Sequence, residues 1–247
     1  MSKITKKSML TLLLIVSFQI YPINVALPFV AKHNKEGIIL IKENEVINDD
    51  LYIAGDKIII NGIVNGDVLA TGSSIIVNGY IRDSAMTIAK DVTISGKIGH
   101  GLRVAGFNLL INGNVGKDLL IAGSKITLSK NAIINGSVLF TGSELNVKGL
   151  IKGDIVGSGS LVNIQNKIMG NAQIKAKHLT LMQKAYIGGN LTYTSENDAK
   201  IDPKAKVEGI IDHKLIENKR AILARNASFI LMDAFIKQGF RFLPLFL

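Results

Sequence analysis

Gly62-Ile63-Val64-Asn65-Gly66-Asp67-Val68-Leu69-Ala70-Thr71-Gly72-Ser73-Ser74-Ile75-Ile76-Val77-Asn78-Gly79 is one copy of a unit that recurs from about residue 47 to residue 200. With Val64 as position zero, its equivalents are Ile47, Ile81, Ile98, Val115, Ile134, Ile151, Ile168 and Ile187. Four residues on stands a second column: Leu51, Val68, Ala85, Leu102, Leu119, Val138, Ile155, Ala172 and Leu191. Two more, eleven and thirteen residues on, begin Ile58, Ile75, Val92 and Ile60, Val77, Ile94; the second continues through Ile111 and Leu128. All 34 places in the four columns are aliphatic in a chain that is 47% hydrophobic. Chance gives that on the order of 10⁻¹¹, so the repeat is real.

The period is 17 residues, with two intervals of 19, from Val115 to Ile134 and from Ile168 to Ile187. Both place their extra residues near Lys130-Asn131-Ala132 and Gln183-Lys184-Ala185, and insertions confined to one place belong at a corner. Within the unit apolar and polar residues alternate, the period of a strand with one buried face. Gly62, Gly66, Gly72 and Gly79 mark the breaks, where tight turns use positive φ. Seventeen residues are too few for four propeller strands or for a strand plus a helix. They suit one coil of an all-β solenoid: three short strands, three corners and a dry triangular core. About nine coils of 17–19 residues, stacked roughly 4.8 Å apart, make a rod about 40 Å long.

The run Val-x-Gly-Asp-Val-x-Ala-x-Gly-x-x-Ile-x-Val-x-Gly, read on Asn65's neighbours Val64, Gly66 and Asp67, resembles the bactofilins, polymer-forming bacterial cytoskeletal proteins. Ile151-Lys152-Gly153-Asp154-Ile155 and Ile168-Met169-Gly170-Asn171-Ala172 repeat the same turn. The resemblance spans roughly residues 47–209 and implies a right-handed triangular β-helix. It further implies a non-enzymatic scaffold that assembles with itself end to end at a membrane surface, with cell-wall or envelope proteins as further partners. Function does not follow from fold, so this remains an expectation.

No Cys and no Trp are present, which removes disulfides and thiol-ligated metals. The net charge of +10 is unevenly placed. Residues 1–35 hold five Lys and no acid, residues 214–247 carry +4, and the long middle is left at +1. Positive charge therefore flanks apolar ends and suits an anionic membrane better than a nucleic-acid footprint. Lys3, Lys6 and Lys7, the apolar run Met9–Ile20 and Pro22 give residues 1–31 the layout of a secretory signal, with an uncleaved anchor as the alternative. That places the protein, exported and membrane-associated, in the bacterial envelope; the inner membrane's cytoplasmic face is the other reading.

Residues 32–46 form a lead-in whose Ile38–Ile41 burst reads as a capping strand. Ser195-Glu196-Asn197-Asp198 interrupts the repeat, and Lys206-Val207-Glu208-Gly209 reads as the start of an incomplete last coil. Residues 210–247 then read as a basic amphipathic helix, with Leu215, Ile222, Phe229 and Ile236 every seven residues. In envelope proteins similar to this one such a helix continues into transmembrane helices, so the resemblance implies a membrane region cut short. A helix folded back on the rod is the alternative.

Triangular left-handed β-helix acyltransferases are the enzymatic competitor, but their hexapeptide repeat spaces aliphatics 6, 6, 6. Here the spacing is 4, 7, 2, 4. Such enzymes need a general base. His33 and His213 fall outside the coils as read, His100 sits at a turn beside Gly99, and His178 faces outward from the column of Leu179. No catalytic residue is assigned. Asp50, Asp67, Asp118 and Asp154 share one corner with Asn171 and Asn190, as a cation or sugar ladder or as turn residues bonding nearby backbone. Gly157-Ser158-Gly159 opens no helix and is no nucleotide loop, and the calcium-binding nonapeptide is absent, so no cofactor or metal is expected. A carbohydrate-active or acyl-transferring envelope enzyme and a monomeric membrane-bound binding module remain alternatives to the scaffold.

Overall fold

A computed structural model describes residues 37–215. The expected leader over 1–31 and all of the expected helix beyond Leu215 lie outside these residues. The described chain is all-β, a parallel solenoid of about ten turns with no helix. Each regular turn supplies a two-residue strand and a ten-residue strand, as in Ile63–Val64 and Val68–Val77. The long strands hydrogen-bond in chain order into one sheet and the short ones into a second.

Two boundaries differ from the sequence reading. Lys206–Val207 pairs with Tyr186–Ile187, and Ile211–Leu215 pairs with Leu191–Ser195, so the coil that reads as incomplete continues. Pairing thus runs past residue 209 and over Lys214 and Leu215, where the helix was expected to begin. The interruption at 195–198 is bridged because Lys200–Ile201 resumes the stack on Thr180 and Leu181.

Three short strands per coil are replaced by one short and one bent strand. The Cα register between Leu51–Ile60 and Val68–Val77 omits Asp56 and Ser73, the sixth residues. Burial changes phase there: residues one and three of each strand point inward, then residues eight and ten. Two successive outward residues turn the chain without ending the strand, and each long strand is two straight runs. The 19-residue coils take up their excess in β-turns, Ala132 N–H donating to Ser129 O at 2.9 Å and Ala185 N–H to Met182 O at 2.8 Å.

Val64, Ile75, Val77, Ile94, Ile111, Leu128 and Ile151 are fully buried, with Val68 almost so. Ile47, on the first coil, is the one member of the four columns only partly covered. A fifth inward column escapes the sequence reading: Ile53, Ala70, Thr87, Val104, Ile121, Phe140, Ile174 and Tyr193 are all buried. Its sizes compensate from coil to coil. Phe140 stands over Gly157, where a Cβ would meet both the Phe140 carbonyl and its ring. Thr87 lies between Ala70 and Val104, and its hydroxyl has no hydrogen-bond partner among the described residues.

The glycines correct another expectation. Among the described residues positive φ occurs only at Gly37 and Gly157, not at Gly62, Gly66, Gly72 or Gly79. Those four are glycine for lack of room. A Cβ on Gly79 would overlap the Gly62 carbonyl oxygen, one on Gly72 the Gly55 oxygen, and one on Gly66 the backbone of Asp49 and Asp50. Coils stacked this closely leave no space for a side chain directed along the axis.

Ile111 pairs in register with Ile94 and Leu128. Ile111→Asp is expected to abolish the cooperative thermal transition seen by circular dichroism, since it buries a charge without a partner. Ile111→Val is expected to cost only about 0.5–1.5 kcal/mol. Gly157→Val should lower the melting temperature sharply and recover in part when combined with Phe140→Ala.

Candidate functional site

The Asp corner is the most regular polar feature of the rod. Asp50 Oδ1 accepts the Asp67 N–H at 2.8 Å, and Asp67 Oδ1 accepts the Ser84 N–H at 2.8 Å. Asp118 accepts from Ser137 N–H at 2.8 Å, Ser137 Oγ from Asp154 N–H at 3.1 Å, and Asp154 from Asn171 N–H at 2.6 Å. Asn171 and Asn190 extend the series to Asn190 N–H and Ile210 N–H, each at 2.9 Å. Every one of these oxygens thus receives a backbone N–H of the following coil. Gly66 and Gly153 precede Asp67 and Asp154 because the preceding coil presses on that position. The carboxylates are spent on the backbone, and no group of three or more metal-ligating side chains occurs among the described residues. The ladder is therefore a device for coil stacking.

Asparagines perform the same service elsewhere. Asn65 donates to Asn48 at 2.7 Å, Asn78 to Asn61 at 2.8 Å, and Asn163 to Asn146 at 3.0 Å. Ser129 hydrogen-bonds Asn112 at one of the two long corners. Beside the ladder, Tyr52 Oη donates to Asp50 at 3.4 Å, and the Asp50 carboxylate holds the Tyr52 phenol above the usual tyrosine range.

The histidines fall in three different settings. His100 is exposed, 3.8 Å from the equally exposed Asp83, and His178 lies outward beside Leu161 of the neighbouring coil. His33 lies outside the described residues. His213, read from sequence as outside the coils, sits within the Ile211–Leu215 strand. Its ring stacks on Tyr193 with centroids 4.3 Å apart and planes at 10°. Nδ1 is 3.0 Å from Asp198 Oδ1 and Nε2 is 3.1 Å from the Ser195 carbonyl. In this arrangement neither nitrogen is open to a substrate proton. The pair ties down the 195–198 loop, aided by the Asn197 and Ala199 N–H groups on Ser195 Oγ and Tyr193 Oη at 3.2 and 3.3 Å. No sequence signal joined His213 to Asp198, because the coil between them is of irregular length.

The two ends differ from the ends expected. Ile38–Ile41 opens the large sheet, pairing Ile39 with Ile58 and Ile41 with Ile60. At the far end Tyr193 is buried and takes no part in an end surface. Ile201 and Val207 are partly covered by the last turn, and the exposed apolar residues are Ile210, Ile211 and Leu215. Nearby, Lys206 Nζ lies 2.6 Å from Glu208. That hydrogen bond holds the Glu208 carboxyl below and the Lys206 amine above their usual ranges. No helix among the described residues is long and apolar enough to cross a membrane.

Asp154→Ala is expected to destabilise the rod by about 1 kcal/mol, the ordinary net value of one hydrogen bond. Asp154→Asn keeps the acceptor, as Asn171 and Asn190 do naturally, and is expected to melt within error of the native chain. A larger loss for Asn than for Ala would make the negative charge, and hence a cation, the relevant feature. Compared with known proteins, the chain matches no family model, no curated protein and no solved structure.

Proposed function

We propose that this chain is a non-enzymatic, polymer-forming scaffold of the bacterial cell envelope, a right-handed triangular β-helix of the bactofilin type. Rods join end to end, and the basic apolar termini contact membrane. One observation carries the reading. Ile211 occupies the column in which Leu191 is fully buried, yet it is 48% exposed, because no coil follows it among the described residues. A solenoid core that simply stops leaves apolar surface and strand edges that need a cap or a second rod. The first coil of another copy offers the same spacing and pairing, and joining the ends buries apolar area against the entropy of association.

Electron microscopy of a 32–215 fragment beside the full chain on anionic liposomes tests this. Filaments from both place 216–247 on the membrane. Filaments from the fragment alone make that segment a terminal cap. A fragment that stays monomeric at high concentration removes the polymer and leaves a membrane-bound binding module. Location is tested separately: a reporter fused after Lys35 is expected to be active outside the cytoplasm. Reversing Lys3, Lys6 and Lys7 to Glu should impair its export, whereas activity only inside would make residues 1–31 a cytoplasmic anchor.

A further inference from the structure

One side of the rod is apolar where a solvated sheet face would be polar. The second residue of each long strand points outward, and in five of the central six coils it is Leu69, Met86, Leu120, Leu139 or Val156. These five are between 40% and 51% exposed, and the strand register stacks them directly, Leu120 on Leu139 and Leu139 on Val156. The remaining coil carries Arg103 at this place. The next outward column adds Ile88, 48% exposed, and the small residues Ala105 and Ala122. Scattered surface aliphatics are ordinary, but a continuous stripe marks a contact surface.

Two independent features of this face select its occupant. The stripe from Leu69 to Val156 is centred between the coils of Arg103 and Leu120. A two-fold axis crossing the face at that point lays the whole stripe of one copy on that of another, running antiparallel. Charge gives the same register. The coil before the stripe carries exposed Asp56 at its corner, and the coil after it carries exposed Lys175 and Lys177. A two-fold across the face keeps each edge on its own side, so Asp56 of one copy meets Lys177 of the other at both ends. Parallel pairing would instead set the acidic ends together, at a like-charge cost.

We propose that two copies of this chain associate side by side and antiparallel through this face, in addition to any joining of their ends. Eight coils about 4.8 Å apart and five residues about 3.3 Å apart give a face of roughly 600 Å² per copy. The pair then buries about 1,200 Å², within the range of specific interfaces. Identical pitch lets the outward rows of one copy interdigitate with those of the other along the full length, which no partner of different period does. The contact is isologous and closes on itself.

The chain has no cysteine, so single cysteines report the geometry directly. With the full-length chain under copper-phenanthroline oxidation, Leu120→Cys, near the axis, is expected to cross-link to itself. Leu69→Cys alone is expected not to, whereas a mixture of Leu69→Cys and Val156→Cys chains is expected to give the mixed dimer. Adding Leu139→Glu should lower the Leu120→Cys cross-link by at least about tenfold, because the new charge is buried without a partner. Its thermal melt should stay unchanged, since Leu139 faces outward. Self-cross-linking of Leu69→Cys would replace the antiparallel pair with a parallel one and overturn the proposal. A Leu120→Cys chain that never cross-links, but whose attached fluorophore becomes shielded on adding anionic vesicles, would assign the face to lipid and also overturn it. End-to-end joining alone brings no two copies of residue 120 together, so failure here leaves that reading standing.

Discussion

Everything in this molecule depends on the backbone hydrogen bonds that one coil gives the next. Asn78 N–H finds Ile60 O, Ser95 N–H finds Val77 O and Asn112 N–H finds Ile94 O, each at 2.8 Å. Such a ladder fixes the rise between coils and leaves the number of residues per coil almost no freedom. A residue gained within a straight run would turn every following side chain to the wrong face. This is why the excess at 130–132 and 183–185 is confined to β-turns, whose Ala132 and Ala185 side chains fill the core at the corner.

Close stacking then decides chemistry at places that look like matters of turn conformation. Gly62, Gly79, Gly96 and Gly113 form a line in which each Cβ would strike a carbonyl of the coil before. The Asp and Asn of the next corner supply acceptors where the chain reverses and the ladder has none to offer. Polar residues at the corners thus serve the backbone, and the acidic series needs no ligand to explain its alignment.

The four aliphatic columns were legible because each keeps to Ile, Leu, Val and Ala, and their spacing alone gives the solenoid. The fifth was not, because it runs through Ala70, Thr87, Phe140, Gly157 and Tyr193, whose volumes balance between coils rather than within the sequence. The tenth coil was obscured by the same irregularity that hides His213. Only the pairing of Lys200–Ile201 with Thr180 and Leu181 shows that residues 195–198 are a detour and not a terminus. The outward stripe is plain once register is known. In the sequence Leu69, Leu120 and Val156 are merely apolar neighbours of the core.

Each coil of this solenoid touches only the one before it and the one after it. Tension applied between residues 37 and 215 therefore meets no contact that spans the rod. A molecule held by its two ends yields by peeling, one coil at a time, each release paying out about 17 residues, or roughly 58 Å of extended chain. The irregular ninth coil, with its shortened strand and its loop held by His213, is where peeling from the far end meets its first distinct barrier. The rod thereby behaves as a graded mechanical element, lengthening in steps where a compact domain of equal size would give way at once.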